Sequence, residues 1–211
     1  MSWEMLTPPA SEPVTVAEIK DHGRIDGTDD DTYLGVLITA GRELVERSTG
    51  LVLIDQGWRL TLDTWPYAGR DEWWDGVREV PISVLVESHV DLNRAPVRAI
   101  TAVAVVDEDD AATTWAATNY YLARRPGGKG RLVRKSGVTW PDQGARTQGA
   151  IRIDATLGYG ANASDVPSAL RHAVKMCALH WYEHREPASA CASAQVMPAG
   201  LGSIIASYRV R

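Results

Sequence analysis

The feature that most constrains the fold is a long amphipathic segment, residues 164–186. Ser164 and Asp165 carry side-chain oxygens suited to capping a helix, and Pro167 suits a first turn, where a backbone N–H has no partner. Helical conformation is disfavoured directly before Pro187, so the pattern predicts a helix that ends there. Its apolar stripe comprises Leu170, Ala173, Val174, Cys177 and Trp181.

Two further helices are predicted in the first quarter of the chain. Thr15 and Glu18 have the spacing of a capping box, which predicts a helix over residues 16–22 that ends at Gly23. A second helix is predicted over residues 32–49, with a glycine directly after it. One face of this second helix carries Leu34, Leu37, Ile38, Gly41, Val45 and Ser48.

The middle of the chain has the pattern of short strands. Residues 57–63 alternate apolar and polar side chains, as a half-buried strand does. No helical pattern lies between the strands, so an antiparallel arrangement is favoured over a parallel one. The remaining strand-like stretches are residues 80–90, 99–106, 119–123, 130–134 and 150–157.

The predicted fold class is α+β. Two N-terminal helices and one long C-terminal helix form a helical core, into which an antiparallel β-sheet region is inserted, and an extended C-terminal tail follows. The predicted parts are residues 1–56 (N-terminal helical part, beginning with a proline-rich arm or loop), 57–160 (inserted β region), 161–186 (long helix) and 187–211 (tail).

Charge and cysteine content narrow the classes of function. The formal net charge is −5, and the chain has no long run of Lys or Arg, which argues against a protein that grips nucleic-acid phosphates. Cys177 and Cys191 do not resemble a disulfide framework, so synthesis in a reducing cytosol is expected. No signal-peptide pattern begins the sequence and no apolar run approaches the roughly 20 residues that span a bilayer, so a soluble protein is expected.

Enzymatic motifs are absent from the sequence, and no cofactor or catalytic residue is predicted. The strongest metal candidate is Cys177, His180 and His184, which share one face of the long helix. A zinc site needs a further ligand, and neither His172 nor Cys191 has a recognised spacing. The favoured interpretation is a core cysteine with histidines at the edge of the core, and no metal.

Two surface features suggest contacts with other molecules. Trp73 and Trp74 lie in an acidic loop and predict either a sugar-stacking platform, a partner contact, or folding back onto the body. After an Ala/Ser/Gly-rich spacer, the last residues regain apolar and basic character, which predicts a tail that docks on a neighbouring protein. The alternative is that its apolar side chains pack on their own subunit. The candidate docking residues are Leu201, Ile204, Ile205, Tyr208, Arg209 and Arg211.

A succession of short motifs then carries a resemblance along nearly the whole chain. They are residues 13–18 (PVTVAE), 26–31 (DGTDDD), 48–50 (STG), 57–63 (GWRLTLD), 65–66 (WP), 96–103 (PVRAITAV), 156–160 (TLGYG), 165–167 (DVP), 180–185 (HWYEHR) and 207–210 (SYRV). In this order they resemble the head–tail connector (adaptor) proteins of long-tailed bacteriophages and of phage-derived gene transfer agents.

The resemblance implies a non-enzymatic virion protein of the neck. Such a subunit forms a ring of about a dozen copies beneath the portal, extends the DNA channel and joins the capsid to the tail. The implied partners are other copies of the chain, the portal protein and a tail-side connector or tail terminator protein, with DNA passing through without specific binding and no membrane. Assembly in the bacterial cytoplasm is expected. The alternative is a carbohydrate- or partner-binding β module on a helical stalk, suggested by the tryptophan-rich loops.

Overall fold

The computed structural model describes residues 1–66, 87–141, 144–184 and 200–209. The chain divides into two compact units. The β unit comprises Met1–Pro8 and Gly57–Leu157, and the helical unit comprises Pro9–Gln56 and Gly158–Arg211. Helices and antiparallel strand pairs are both present, which confirms the α+β class.

The first helix of the helical unit, α1, is Val16–Gly23. The predicted capping box is present: the Glu18 N–H donates to Thr15 Oγ1 at 3.2 Å, and the Thr15 N–H donates to Glu18 Oε2 at 2.9 Å. The predicted stop at Gly23 is wrong by one residue, because Arg24 takes the left-handed conformation with φ 51°. Gly23 serves packing instead, since a Cβ there would lie 2.6 Å from Leu179 Cδ1.

Helix α2 is Asp31–Thr49, and Gly50 ends it in the left-handed conformation (φ 76°), as the sequence predicts. Four apolar side chains of its predicted face, and Gly41, are buried in the unit. Ser48 is only half-buried. The buried apolar side chains are Leu34, Leu37, Ile38 and Val45.

Helix α3 is Ser168–Glu183, which is shorter than the predicted 164–186. Ser164 and Asp165 belong to a separate 3₁₀ turn, Ala163–Asp165, in which the Asn162 N–H donates to Asp165 Oδ2 at 3.1 Å. Proline disfavours helical conformation in the residue before it, so Val166 is extended and Pro167 becomes the N-cap. The predicted stripe is buried from Leu170 to Cys177, whereas Trp181 is half-exposed.

The last helix, α4, is Leu201–Tyr208 and packs against α2 and α3. Two stretches of chain complete the core of the unit. Residues 51–54 (LVLI) are all buried, and the Asp55 and Tyr159 N–H groups donate to Gly160 and Leu53 carbonyl oxygens. These backbone hydrogen bonds join the end of Pro9–Gln56 to the start of Gly158–Arg211, the two parts of the helical unit.

The β unit contains two sheets. The strands are β1 Ser2–Thr7, β2 Gln56–Leu62, β3 His89–Leu92, β4 Val97–Val106, β5 Ala112–Thr114, β6 Tyr120–Arg124, β7 Gly130–Arg134 and β8 Ile151–Leu157. The five-stranded sheet has the order β1-β2-β8-β4-β5, and the three-stranded sheet has the order β3-β7-β6.

Five strands predicted from the sequence are confirmed within two residues, and two were missed. The predicted N-terminal arm is wrong, because β1 pairs antiparallel with β2, placing Trp3 opposite Leu60. The short β5 was also not predicted. Most of the predicted strand 80–90 lies outside the described residues, and its end overlaps β3.

An ion network lies inside the helical unit. Arg42 on α2 is 4% exposed and contacts Glu12 and Glu46, each at 2.9 Å. Glu46 also accepts from the Leu53 N–H (2.8 Å) and from Gln56 Nε2 (3.1 Å). Burial nevertheless raises the pKa of the Glu46 carboxyl, because loss of hydration outweighs these favourable contacts. The network therefore depends on every partner being present.

Replacing Arg42 tests this dependence. Arg42→Ala is expected to lower the free energy of unfolding by about 3–5 kcal/mol, because it leaves the Glu46 carboxylate buried without its counter-ion. Urea unfolding followed by far-UV circular dichroism measures the change. Arg47→Ala, on the exposed face of the same helix, is the matched control and should change stability by less than about 0.5 kcal/mol. Equal losses in both variants would contradict the assignment.

Candidate functional site

The predicted metal candidate on α3 does not form a chelating group. Cys177 is 1% exposed, and burial raises the pKa of its thiol to about 11. The rings of His180 and His184 lie 4.6 Å apart, and His184 Nδ1 is 3.0 Å from the His180 carbonyl oxygen. Across the described ranges, no group of three or more His, Cys, Asp or Glu side chains is placed to hold a metal ion. A buried thiol of high pKa is a poor nucleophile, so Cys177 acts as a core residue.

Three described tryptophans of the β unit form a packed aromatic cluster with Tyr120. Trp65 and Trp140 are stacked with ring centroids 4.1 Å apart, and Trp115 lies 5.3 Å from Trp140 and 5.4 Å from Tyr120. Trp65 Nε1 donates to the Pro141 carbonyl oxygen at 2.8 Å, and both stacked indoles are buried. A sugar-binding platform needs an exposed ring face, which these two indoles do not offer. Trp73 and Trp74, the candidate loop contact and sugar-stacking residues, lie outside the described residues.

The candidate docking residues at the C-terminal end divide by exposure. Leu201 is fully buried within the helical unit, whereas Ile204, Ile205 and Tyr208 are half-exposed. Arg209 is exposed, and Arg211 lies outside the described residues. Burial raises the pKa of Tyr159, and the nearby Tyr208 raises it further. One side of α4 therefore packs on its own unit, and the other keeps exposed area.

A basic surface that the sequence analysis missed lies in the β unit. The β6–β7 turn packs on the start of β4, since a Cβ at Gly128 would lie 2.8 Å from Pro96 Cβ. This brings four cationic side chains together, and Arg124 Nη2 donates to the Arg98 carbonyl oxygen at 3.1 Å. We call Arg98, Arg124, Arg125 and Lys129 the basic hairpin tip. Its sequence signal was present: residues 124–135 contain six Lys and Arg and no Asp or Glu.

An acidic surface lies at the other end of β4. Asp107, Glu108, Asp109 and Asp110 form the turn between β4 and β5, here called the acidic turn. The Asp107 carboxylate accepts from the Asp109 and Ala111 N–H groups at 3.0 and 2.8 Å, and Asp110 pairs with Arg146. Glu108 and Asp109 are exposed.

Comparison with known proteins places this fold among particle neck structures. Over 100% of its length the chain matches a chain from the neck of an empty gene transfer agent (GTA) particle computed with C6 symmetry, at 27% identity and a TM-score of 0.76. A chain from the virion of a native GTA particle matches at 28% identity and 0.74, and one from the neck of a native GTA particle computed with C12 symmetry at 27% and 0.74. In each comparison 96% of the other chain is covered.

Comparisons with protein family models and with curated protein sequences found no match to the chain. Among the described residues, none of the helices has the length and apolar character needed to cross a bilayer. The likeness to the GTA chains therefore carries the functional argument.

The burial of Cys177 predicts slow chemical modification. In a Cys191→Ser variant, alkylation by iodoacetamide at pH 8 should be about two orders of magnitude slower in the folded protein than in urea, because the reactive thiolate is scarce at a pKa of about 11. Mass spectrometry of timed samples gives both rates. Similar rates in the two conditions would show that the thiol is accessible and that its core assignment is wrong.

Proposed function

We propose that this chain is a head–tail connector (adaptor) subunit of a gene transfer agent or long-tailed phage particle. About a dozen copies form a ring beneath the portal, extend the DNA channel and join the capsid to the tail. The observation that carries the proposal is the whole-chain match to GTA neck chains, at 27% identity, with 96% of those chains covered. A shared fold alone would not identify a role, but correspondence over the full length of both chains, together with detectable identity, supports one.

The symmetry of the matched structures supports the ring. Two of the three are necks computed with C6 and C12 symmetry, which fits a cyclic arrangement of about twelve copies. The role is structural: the ring is held by protein contacts, and the proposed partners are the portal on one side and a tail-side connector or tail terminator on the other. The net charge of −5 suits a channel that DNA traverses without being held, because like charges repel.

Helix α4 is the proposed contact with the portal protein. Its buried Leu201 anchors it to its own unit, while Ile204, Ile205 and Tyr208 retain exposed area. The exposed Arg209 follows directly and adds positive charge at the end of the helix. An amphipathic helix with a partly uncovered apolar side and a basic end is suited to lie in a groove of a partner protein.

The alternative, a carbohydrate-binding β module, is not favoured by the described residues. Its basis was the density of tryptophan, and Trp65 and Trp140 are buried in the aromatic cluster with their N–H groups bonded to backbone carbonyl oxygens. Glycan arrays and tryptophan fluorescence titration would detect sugar binding directly. A saturable response would favour this alternative over the connector.

Deletion of the gene in a particle-producing strain tests the connector role. We expect filled heads that lack tails, because no ring is present to join the two. Electron microscopy counts joined particles, and cryo-electron microscopy of wild-type particles locates the chain. Complementation with the wild-type gene controls for effects on neighbouring genes. Normal joined particles without this chain, or its absence from wild-type necks, would overturn the proposal.

Two substitutions, one in α4 and one directly after it, separate docking from internal packing. Leu201→Ala is expected to lower the free energy of unfolding by about 2–4 kcal/mol, because it empties a fully buried site. Arg209→Glu should leave stability unchanged but weaken attachment to the portal, because it reverses an exposed charge. Co-purification with portal-bearing heads measures attachment, and Arg47→Glu on α2 is the matched charge control. Unaltered attachment of the Arg209→Glu protein would count against Arg209 as a docking residue.

A further inference from the structure

The β unit separates its charges between the two ends of one strand. The basic hairpin tip packs on the beginning of β4, where a Cβ at Gly130 would lie 2.8 Å from Val97 Cβ. The acidic turn follows the last residue of β4, Val106. A strand of ten residues spans about 30 Å, so the two surfaces of one copy are too far apart to meet each other.

Local contacts leave charge at each end. At the basic end, the Asp91 carboxylate pairs with Arg131 and lies 3.8 Å from Arg125. Arg124 donates instead to a backbone carbonyl oxygen, a contact that does not neutralise its charge. At the acidic end, Arg146 pairs with Asp110, while Glu108 and Asp109 extend into solvent. Counted over the described residues, the basic hairpin tip with Asp91 and Arg131 has more positive than negative side chains, and the acidic turn with Arg146 has more negative than positive ones.

A cyclic ring needs this kind of polarity. In a ring of more than two copies, each subunit contacts its neighbours through two different surfaces, which must complement one another. A subunit with a positive surface and a separate negative surface provides such a pair within one unit. Complementary charges at an interface steer the encounter and fix which surfaces meet.

We propose that the basic hairpin tip of one copy binds the acidic turn of the next copy. This inference rests on the proposed ring, and it adds the surfaces through which neighbouring copies recognise each other. Arg124 and Arg125 face Glu108 and Asp109 across the contact. Because the same pair of surfaces recurs at every interface, each copy uses both of its ends.

Reciprocal charge reversal tests the pairing. Arg124→Glu/Arg125→Glu and Glu108→Arg/Asp109→Arg should each reduce the number of copies retained in the neck at least roughly tenfold, because like charges then face each other. Combining all four substitutions restores opposite charges and should return occupancy to within about threefold of wild type. Quantitative mass spectrometry of purified particles measures occupancy. Arg47→Glu reverses a charge in the helical unit that belongs to neither surface, and it should retain wild-type occupancy.

Carbodiimide cross-linking gives a second readout that needs no substitution. The reagent joins Lys to Asp or Glu at zero length, so a link between Lys129 and Glu108 or Asp109 must connect two copies, given their separation of about 30 Å within one. We expect this link in particles, and expect it to weaken as salt concentration rises from about 0.05 to 0.5 M.

The outcomes distinguish this inference from the proposed function. One outcome is that the chain occupies the neck while the cross-link is absent and the variant with all four substitutions does not regain occupancy. In that case the pairing is wrong while the connector role stands. Unchanged occupancy in the Arg124→Glu/Arg125→Glu particles, with altered DNA retention, would assign the tip to DNA and also contradict the pairing. If the chain is absent from necks, the connector role fails. The same cross-link, measured on concentrated purified protein, then decides the pairing.

Discussion

The helical unit depends on the close approach of α2 to α3, and one pair of residues on α2 makes it possible. A Cβ at Gly41 would lie 3.2 Å from the Val174 carbonyl oxygen and 3.3 Å from Cys177 Cβ, so the helices pack this closely because the side chain is a hydrogen. The next residue, Arg42, faces Glu12 and Glu46 and is almost completely buried. The close apolar contact and the buried ion network are therefore set by adjacent positions on α2.

Internal packing accounts for several residues whose types suggested a chemical site. Cys177 lies in the α2–α3 contact, and its histidine neighbours lie at the end of the helix. In the β unit, Trp65 and Trp140 are likewise buried by internal packing. Among the described residues, the basic hairpin tip and the acidic turn expose charge, and α4 keeps a partly exposed side. These are features suited to assembly, in line with a particle neck.

The sequence predicted those elements whose signals are local. Capping at Thr15 and Glu18, the stop at Gly50 and the alternation of β2 each depend on neighbouring residues, and each was correct. It failed where a distant partner decides. Residues 2–7 form a strand because β2 offers a pairing edge, and Gly23 is needed because of Leu179, far along the chain. The two charged surfaces were visible as sequence runs, but their placement at opposite ends of β4 required the hairpin to be located.

The division of the chain has a consequence for how the protein is made. Both units are discontinuous in sequence: the β unit begins with Met1–Pro8 and resumes at Gly57, and the helical unit begins at Pro9 and resumes at Gly158. During synthesis β1 therefore emerges well before β2, and α2 emerges more than a hundred residues before α3. Neither core can be completed until late in translation. A nascent chain that stalls near residue 150 therefore exposes the face of α2 that α3 later covers. A nascent chain in this state has an apolar surface of the kind that chaperones bind, and α3 covers that surface only once residues 168–183 have been made.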